Sequence, residues 1–407
     1  MNWRTARLED VAQVLGGGTP SRTEPTYFGG GIAWATPTDV TALDGLYIAA
    51  TKESITEAGL QGSSTKLMPP GAVLLTSRAT IGFTAVSKIP ICTNQGFVNF
   101  VCGDAVLPEF LAYWLRTQKD KMLQHAGGTT FKEIARGTLR KFEIGFPPLG
   151  EQRWIVDLLS RAEGIVRLRN EAQAKAKAII PALFLDRFGN PATNPKGWPM
   201  APLSEVAEVI SGVAKGGRKL APGEGVELPY MRVANVKDGY LDLSEIKTIE
   251  IKRTEVEKLL IRPGDLLMTE GGDPDKLGRA ALWSGEIDAC IHQNHVFKVR
   301  SNRCRVLPTY LGALAGSSYG KAYFLSVAKK TTGIASINKT QLSAFPVVIP
   351  PIEVQEEFAQ HVTSVESIAT QQSLAAAKAE AIFRSILARA FAGELTANER
   401  DQEEAVA

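Results

Sequence analysis

The sequence predicts an α+β protein built twice over: two tandemly repeated mixed α/β domains, separated by two long helices that form an antiparallel coiled coil with pseudo-two-fold symmetry. Three observations carry this. Pro147-Pro148-Leu149-Gly150-Glu151-Gln152 opens a helical stretch, and Pro350-Pro351-Ile352-Glu353-Val354-Gln355 opens another 203 residues later. A Pro-Pro pair ends the strand before it and leaves a clean helix start. Both stretches then hold apolar residues at heptad spacing, Ile155, Leu158, Leu159, Ala162, Ile165 and Ile179 in one and Phe358, Val362, Val365, Ile368, Ala379 and Ile382 in the other. The globular parts repeat as well: Trp3, Leu8, Val11 and Val14 are answered by Trp198, Leu203, Val206 and Val209 at a constant offset of 195.

Along the chain, residues 1–147 make the first domain. Runs rich in β-branched and aromatic residues at 72–76, 97–101 and 142–146 read as strands bounded by Gly and Pro, and 108–124 reads as an amphipathic helix. Residues 148–190 form the central helix, in which Pro181 predicts a kink. The stretch from Phe188-Gly189-Asn190-Pro191 to Lys196-Gly197 is the linker that starts the second domain, 191–350. Its strands fall at 266–269, 295–299 and 345–349, and its helix at 308–328. Residues 351–396 form the second long helix, and 397–407 an acidic tail expected to be disordered. Between landmarks the offset drifts from 193 to 203, as short insertions in surface loops would cause. Arg169 and Gln372, again 203 apart, take equivalent a positions, where a polar residue sets register. Paired, the helices make a spacer of about 60 Å. Packing of each stripe on its own domain is the alternative, and two matched stripes in one chain weigh against it.

Composition bounds the function. Apolar residues at 44% and charged residues at 22% describe a globular protein without an 18-residue apolar run, and Met1-Asn2-Trp3-Arg4 does not begin a signal peptide, so a cytoplasmic location is expected. Four cysteines without a Cys-x-x-Cys spacing are expected to be reduced. The net charge of +3 is too small to announce nucleic acid, but the acidic C-terminal end conceals basic clusters elsewhere: Lys132, Arg136, Arg140 and Lys141; Lys215, Arg218 and Lys219; Arg300, Arg303 and Arg305; Lys329, Lys330 and Lys339.

Catalytic patterns are missing. There is no phosphate-binding Gly-x-x-x-x-Gly-Lys-Ser/Thr loop and no Gly-x-Gly-x-x-Gly opening a helix. No Asn-Pro-Pro-aromatic motif of an adenine methyltransferase is completed at Asn190-Pro191 or Asn194-Pro195. Gly272-Asp273-Pro274-Asp275-Lys276 reads as a turn rather than a nuclease site. Cys290 and His292 alternate along a strand with no fourth ligand near, which disfavours zinc. A non-catalytic chain is expected.

The tandem layout, Thr76-Ser77-Arg78-Ala79-Thr80-Ile81-Gly82, the Pro-Pro-Leu-Gly-Glu-Gln-Arg opening, Gly333-Ile334-Ala335-Ser336-Ile337-Asn338 and Ala390-Phe391-Ala392-Gly393-Glu394-Leu395 together resemble the specificity subunit of type I restriction-modification systems, over residues 1 to about 396. The resemblance implies two target recognition domains, each reading one half of a split double-stranded DNA sequence. It implies helices that hold the domains apart and dock two methyltransferase (modification) subunits. Restriction/translocase subunits would join them. S-adenosylmethionine, ATP and Mg would then be bound by those partners and no cofactor or metal by this chain, with no membrane involved.

Base readout needs side chains on loops. The candidates for DNA contact are Ser77, Arg78, Thr129, Thr130 and Lys132 in the first domain, and Lys215, Arg218, Lys219, Lys276, Arg279, Thr332, Ser336 and Asn338 in the second. For Arg78 and Arg279 the alternative is an ion pair with a local carboxylate, and for the threonines a helix cap. Two other functions fit the sequence less well. A duplicated protein-binding scaffold would retain no duplex at any salt, and a diverged free-standing DNA-modifying enzyme would transfer methyl groups without partners.

Overall fold

Each long helix starts directly after its Pro-Pro pair, as Leu149–Phe188 and Ile352–Phe391, both 40 residues long. The computed structural model describes residues 3–128, 132–214, 221, 223–273, 276–331 and 333–395, so the expected acidic tail, 397–407, lies outside the described residues. The chain divides into two units, Met1–Gln173 with Gln372–Ala407, and Ala174–Gln371, so each unit contains part of both long helices.

In the first unit the strands Arg4–Arg7 and Glu143–Phe146 pair antiparallel and close the domain on itself. A five-stranded sheet runs in the order Ala12–Gly16, Phe97–Cys102, Val73–Thr76, Thr84–Ser87, Tyr47–Ile48, with only the last pairing parallel. A three-stranded sheet of Glu53–Ile55, Phe28–Ala35 and Ile91–Thr93 accompanies it. The expected helix at 108–124 is two helices, Pro108–Thr117 and Lys119–His125, broken at Gln118. In the first, Phe110 through Leu115 are all buried, and Glu109, Arg116 and Thr117 at its ends are half-buried. The reason is that both its sides are covered. Thr84 Oγ1 donates to Ala112 O on the sheet side (3.2 Å), and Phe110 and Tyr113 meet Phe391 and Phe383 of the second long helix at ring distances of 5.0 and 6.5 Å.

The second unit repeats the plan. Met200–Pro202 pairs with Pro346–Val348, and a four-stranded sheet runs Ala207–Ser211, Val296–Ser301, Leu266–Thr269, Ala280–Leu282 beside a three-stranded sheet of Lys247–Lys252, Gly225–Met231 and Ile291–His292. A further small sheet, Gly271–Gly272, Ile334–Ser336 and Lys329–Thr331, has no counterpart among the described strands of the first unit. The helix expected at 308–328 is again two, Pro308–Gly316 and Ser318–Val327, with Ser317 between them. The likeness extends to backbone packing. A side chain on Gly17 would lie 1.7 Å from Asn94 O, and one on Gly212 would lie 2.1 Å from His292 O, so only glycine permits the close approach at these equivalent places.

The long helices face each other within each unit. In the first, Ile155 and Leu159 share a core with Phe383, Leu387 and Phe391, while Arg169 Nη1 donates to Gln372 Oε1 (3.4 Å) and Gln173 Nε2 to Ser373 Oγ (3.1 Å), so the segments run in opposite directions. In the second, Phe184 and Phe188 pack on Phe358 at 6.0 and 5.1 Å, and Arg187 pairs with Glu357 at 3.3 Å. Pro181 lies inside the first helix, which continues through it to Phe188.

What seats each helix on its domain is one glutamine. Gln152 is fully buried. Its Oε1 accepts the Leu107 amide (2.9 Å) and its Nε2 donates to Ala105 O (2.9 Å) and Pro147 O (2.8 Å). Gln355, equally buried, accepts the Leu307 amide (2.8 Å) and donates to Arg305 O (3.0 Å) and Pro350 O (2.9 Å). Gln152→Ala removes the partner of the buried Pro147 carbonyl and of the half-buried Leu107 amide, and leaves the exposed Ala105 carbonyl to water. It should destabilise the first unit by about 2–4 kcal/mol, read as a lower urea midpoint, and a loss below about 0.5 kcal/mol would remove the latch from this account.

The second unit also buries His292, whose Nδ1 sits 2.6 Å from Val296 O while Nε2 has no partner. Burial pushes its imidazole down to about 4. The native chain then stays neutral at His292 where the unfolded chain, titrating near 6.5, takes up a proton, so stability falls as pH drops from about 6.5 to about 4. The loss should approach the order of 3 kcal/mol. Urea midpoints at about pH 7 and pH 5 should differ more for the native chain than for His292→Gln, and equal differences would place the acid sensitivity elsewhere.

Candidate nucleic-acid interface

The strand Val73–Thr76 and its successor Thr84–Ser87 are joined by a loop folded tightly on itself. The Thr76 amide donates to Phe83 O (2.9 Å), the Gly82 amide to Thr76 O (3.0 Å) and the Thr80 amide to Arg78 O (2.7 Å), with Ala79 at φ +60° and Gly82 at φ +98°. Residues 132–134 are laced to it, since the Ala79 amide donates to Lys132 O and the Ile134 amide to Ser77 O, both at 3.0 Å. The fold therefore brings Ser77, Arg78 and Lys132 together. Arg78 and Lys132 are exposed, whereas Ser77 is only 2% exposed. The local carboxylate considered for Arg78 is Glu133, with Nε 3.6 Å from Oε2 and both side chains about half exposed. A contact so long and so wet contributes about 1 kcal/mol or less and leaves the guanidinium available.

The second unit has the same joints. The Thr269 amide donates to Arg279 O (3.0 Å) as Thr76 does to Phe83 O, and the Ile337 amide to Glu270 O (2.8 Å) as Ile134 does to Ser77 O. Around them gather Lys276, Arg279 and Ser336, the last paired with Gly271 and Lys329 in the small sheet. Lys276 contacts Asp273 and holds that carboxyl below the usual carboxylate range. No ion pair is formed by the half-buried Arg279 among the described residues. Asn338 belongs to the same loop, but its Oδ1 accepts the Gln341 amide (2.9 Å) as the cap of the helix Lys339–Ser343. Thr129, Thr130, Lys215, Arg218, Lys219 and Thr332 lie outside the described residues.

The cluster of Arg300, Arg303 and Arg305 is committed within the fold. Arg300 is clamped by both oxygens of the buried Asp265 at 2.7 Å, Arg303 donates to Pro263 O (3.0 Å), and Arg305 donates to Glu205 O (3.1 Å). These three cations hold loops. Lys329 and Lys330, by contrast, are exposed beside the loop that carries Arg279 and Ser336. Two neighbours there were not anticipated from sequence, Glu270 and His295, joined Oε2 to Nδ1 at 2.7 Å. The signal was present, because Glu270 follows the repeated strand where Ser77 stands in the first copy.

Cys290 and His292 belong to no group of three or more ligating side chains among the described residues. Burial pushes the Cys290 thiol up to about 12. No helix among the described residues is long and apolar enough to cross a membrane.

Comparison with known proteins bears directly on this arrangement. The family model described as the type I restriction modification DNA specificity domain matches twice, over residues 1–178 and 195–379. The MjaIX specificity subunit of Methanocaldococcus jannaschii is 30% identical over 72% of this chain and 71% of its own length. The EcoKI specificity subunit of Escherichia coli K12 is 25% identical over 83% of this chain and 77% of its own. Among solved structures, one from a study of complex assembly and conformational transition in the type I restriction-modification system has a TM-score of 0.61 at 20% identity and covers 97% of this chain and 98% of that one. The S subunit from M. genitalium gives 0.51 at 13% identity, covering 96% of each chain. With two specificity domains matched and a fold shared along its length, the chain belongs to the specificity subunits of type I restriction-modification enzymes.

Proposed function

We propose that each domain reads one half of a bipartite double-stranded DNA target, and that the long helices pair as an antiparallel coiled coil which sets the distance between the two readings. The observation that carries this is a scaffold repeated hydrogen bond for hydrogen bond with different side chains on its loops. Thr76 and Thr269 make the same bond to Phe83 and Arg279, and the residues between differ except for the positive-φ glycines Gly82 and Gly278 that precede the second strand. A constant frame with variable loops is what two independent readers of one design require. The loop candidates Ser77, Arg78, Thr129, Thr130, Lys132, Lys215, Arg218, Lys219, Lys276, Arg279, Thr332, Ser336 and Asn338 divide between positioning on phosphate and base contact. Arg78 and Arg279 are best suited to bases, because a guanidinium fork matches guanine bidentately. Ser77 contributes through its backbone, and Asn338 by orienting its loop as a cap.

The helices also dock two methyltransferase subunits. Isoleucines at equivalent places, Ile165 and Ile368, Ile179 and Ile382, are each between 44% and 53% exposed although they belong to the heptad stripe. In the first unit, Ile165, Ile382 and Ile386 line a groove of about 350 Å³ edged by Arg161, Arg169 and Lys378. Apolar surface repeated in this way marks a partner interface. This chain is then the non-catalytic, cytoplasmic subunit of the complex. S-adenosylmethionine is carried by the modification subunits, and ATP and Mg by restriction/translocase subunits.

Exchanging residues 1–147 for the corresponding part of a relative with another target should change one half of the methylated motif and leave the other intact, read by base-resolution sequencing of methylated adenines. A change in both halves would overturn independent reading. Inserting seven residues after Ala174 keeps the heptad seam in phase and adds about 10 Å of helix, so the same sequencing should find both half-sites unchanged and up to about three more unread base pairs between them. An active complex with its original spacing would mean that the helices are not the ruler.

A further inference from the structure

The backbone joints that equate the two domains also equate single residues. The Ser77 amide donates to Gly96 O (2.8 Å), and the Glu270 amide donates to His295 O (3.0 Å). The Asn94 amide donates to Ala35 O and the Gln293 amide to Met231 O, both at 2.9 Å, which confirms the register. Ser77 thus corresponds to Glu270, and Gly96 to His295.

Their environments differ. Gly96 is enclosed, since a side chain there would meet Pro37 Cγ and Asn94 Oδ1 at 3.0 Å, and Ser77 is buried. The place of Pro37 is taken by Val233 in the second domain, and there the two positions carry an open pair with Glu270 29% and His295 55% exposed. His295 Nδ1 faces Glu270 Oε2 at 2.7 Å, so with the proton on Nδ1 the pair presents two acceptors outward, Nε2 and the second carboxylate oxygen. The side-chain Nδ2 of Asn294 lies 3.5 Å from Nε2, a contact at the long limit of a hydrogen bond that a base amino group would displace.

Around this pair the loop surface is basic, with Lys276, Arg279, Lys329 and Lys330 on the connected strands and turns. Cations there suit phosphates. A carboxylate and an imidazole acceptor held at the centre of such a surface repel phosphate and accept instead from the amino groups that bases present in the major groove. We propose that Glu270 and His295 form a base-reading pair of the second domain, specific for the exocyclic amino group of an adenine or cytosine, for which the first domain has no equivalent. This rests on the second domain reading one half-site.

The test uses the whole chain co-expressed with its methyltransferase subunit. Methylated motifs are compared for the native chain, Glu270→Gln, His295→Ala, and a chimera carrying residues 191–350 of a relative with another target. Glu270→Gln keeps the size of the side chain and His295→Ala replaces an exposed one, so both should assemble. Each should relax one position of the second half-site, with discrimination there falling about 10- to 100-fold, while the first half-site stays unchanged. If the chimera changes the second half-site but both point variants keep every base within about twofold, the pair is a surface ion pair only and the inference fails. If the chimera leaves that half-site unchanged, the underlying reading fails instead.

Discussion

The buried glutamine at the head of each long helix is the contact on which the rest of the molecule depends. A helix that leaves a domain can swing about its first turn unless something ties that turn down, and tying it in an apolar core requires every polar atom involved to be satisfied. Gln152 and Gln355 do this with one acceptor and two donated hydrogens each, joining the loop before the buried helix, the Pro-Pro pair and the long helix in a single node. Of each Pro-Pro pair, the glutamine side chain takes the carbonyl of the first proline, and the carbonyl of the second accepts backbone amides of the helix's first turn. Because Pro108 and Pro308 start their helices one residue after the latched amide, the node also orients the helix that underlies the sheet. The loop before the buried helix, the Pro-Pro pair and the long helix are thereby tied together inside each unit.

Above that node the domains separate constant parts from variable ones. Constant parts are backbone hydrogen bonds, which any residue except proline can make. Thr76 and Thr269, Ser77 and Glu270, Ile134 and Ile337 occupy the same joints with the same donors and acceptors. The cores below tolerate exchange: Phe110 and Tyr310 fill corresponding places, and Tyr310 directs its hydroxyl to Val348 O (2.9 Å), a bond that Phe110 has no group to make. Side chains on the loops can then change without moving the frame that holds them. This is the physical condition for a new target to arise by substitution rather than by refolding.

Much of this was legible in the sequence, and the remainder failed for identifiable reasons. The Pro-Pro pairs, the heptad stripes and the repeat offsets depend on local chemistry and on comparison of the chain with itself, and the two 40-residue helices follow from them. The helix Pro108–Thr117 was read from its apolar pattern, which does not show how many of its sides are covered. Its burial depends on Phe383 and Phe391, more than 250 residues away, which no local pattern reveals. Ser77 was chosen for its loop position, and its burial follows from pairing with Gly96 and Ile134. Asn338 differs: Asn338-Lys339-Thr340-Gln341 is a capping-box pattern that can be read directly, and the structure forms that box.

Charge placement completes the argument about division of labour. A protein that grips DNA alone concentrates unpaired cations on one face and shows it in net charge. Here the net charge is +3, and several cations that look available in the sequence are committed internally. Arg300 is locked to Asp265, Arg116 to Glu163 at 2.7 Å, and Lys298 is fully buried with its ammonium donating to the carbonyls of Lys258 and Leu260 at 2.8 Å. In the second domain, Lys329 and Lys330 stay exposed on a strand paired with the one that carries Ser336. Non-specific affinity scales with the number of phosphates neutralised, whereas specificity resides in a few groups at base edges. Under the proposed assembly, this chain contributes discrimination and geometry, and the subunits that its helices hold add further contact to the DNA backbone.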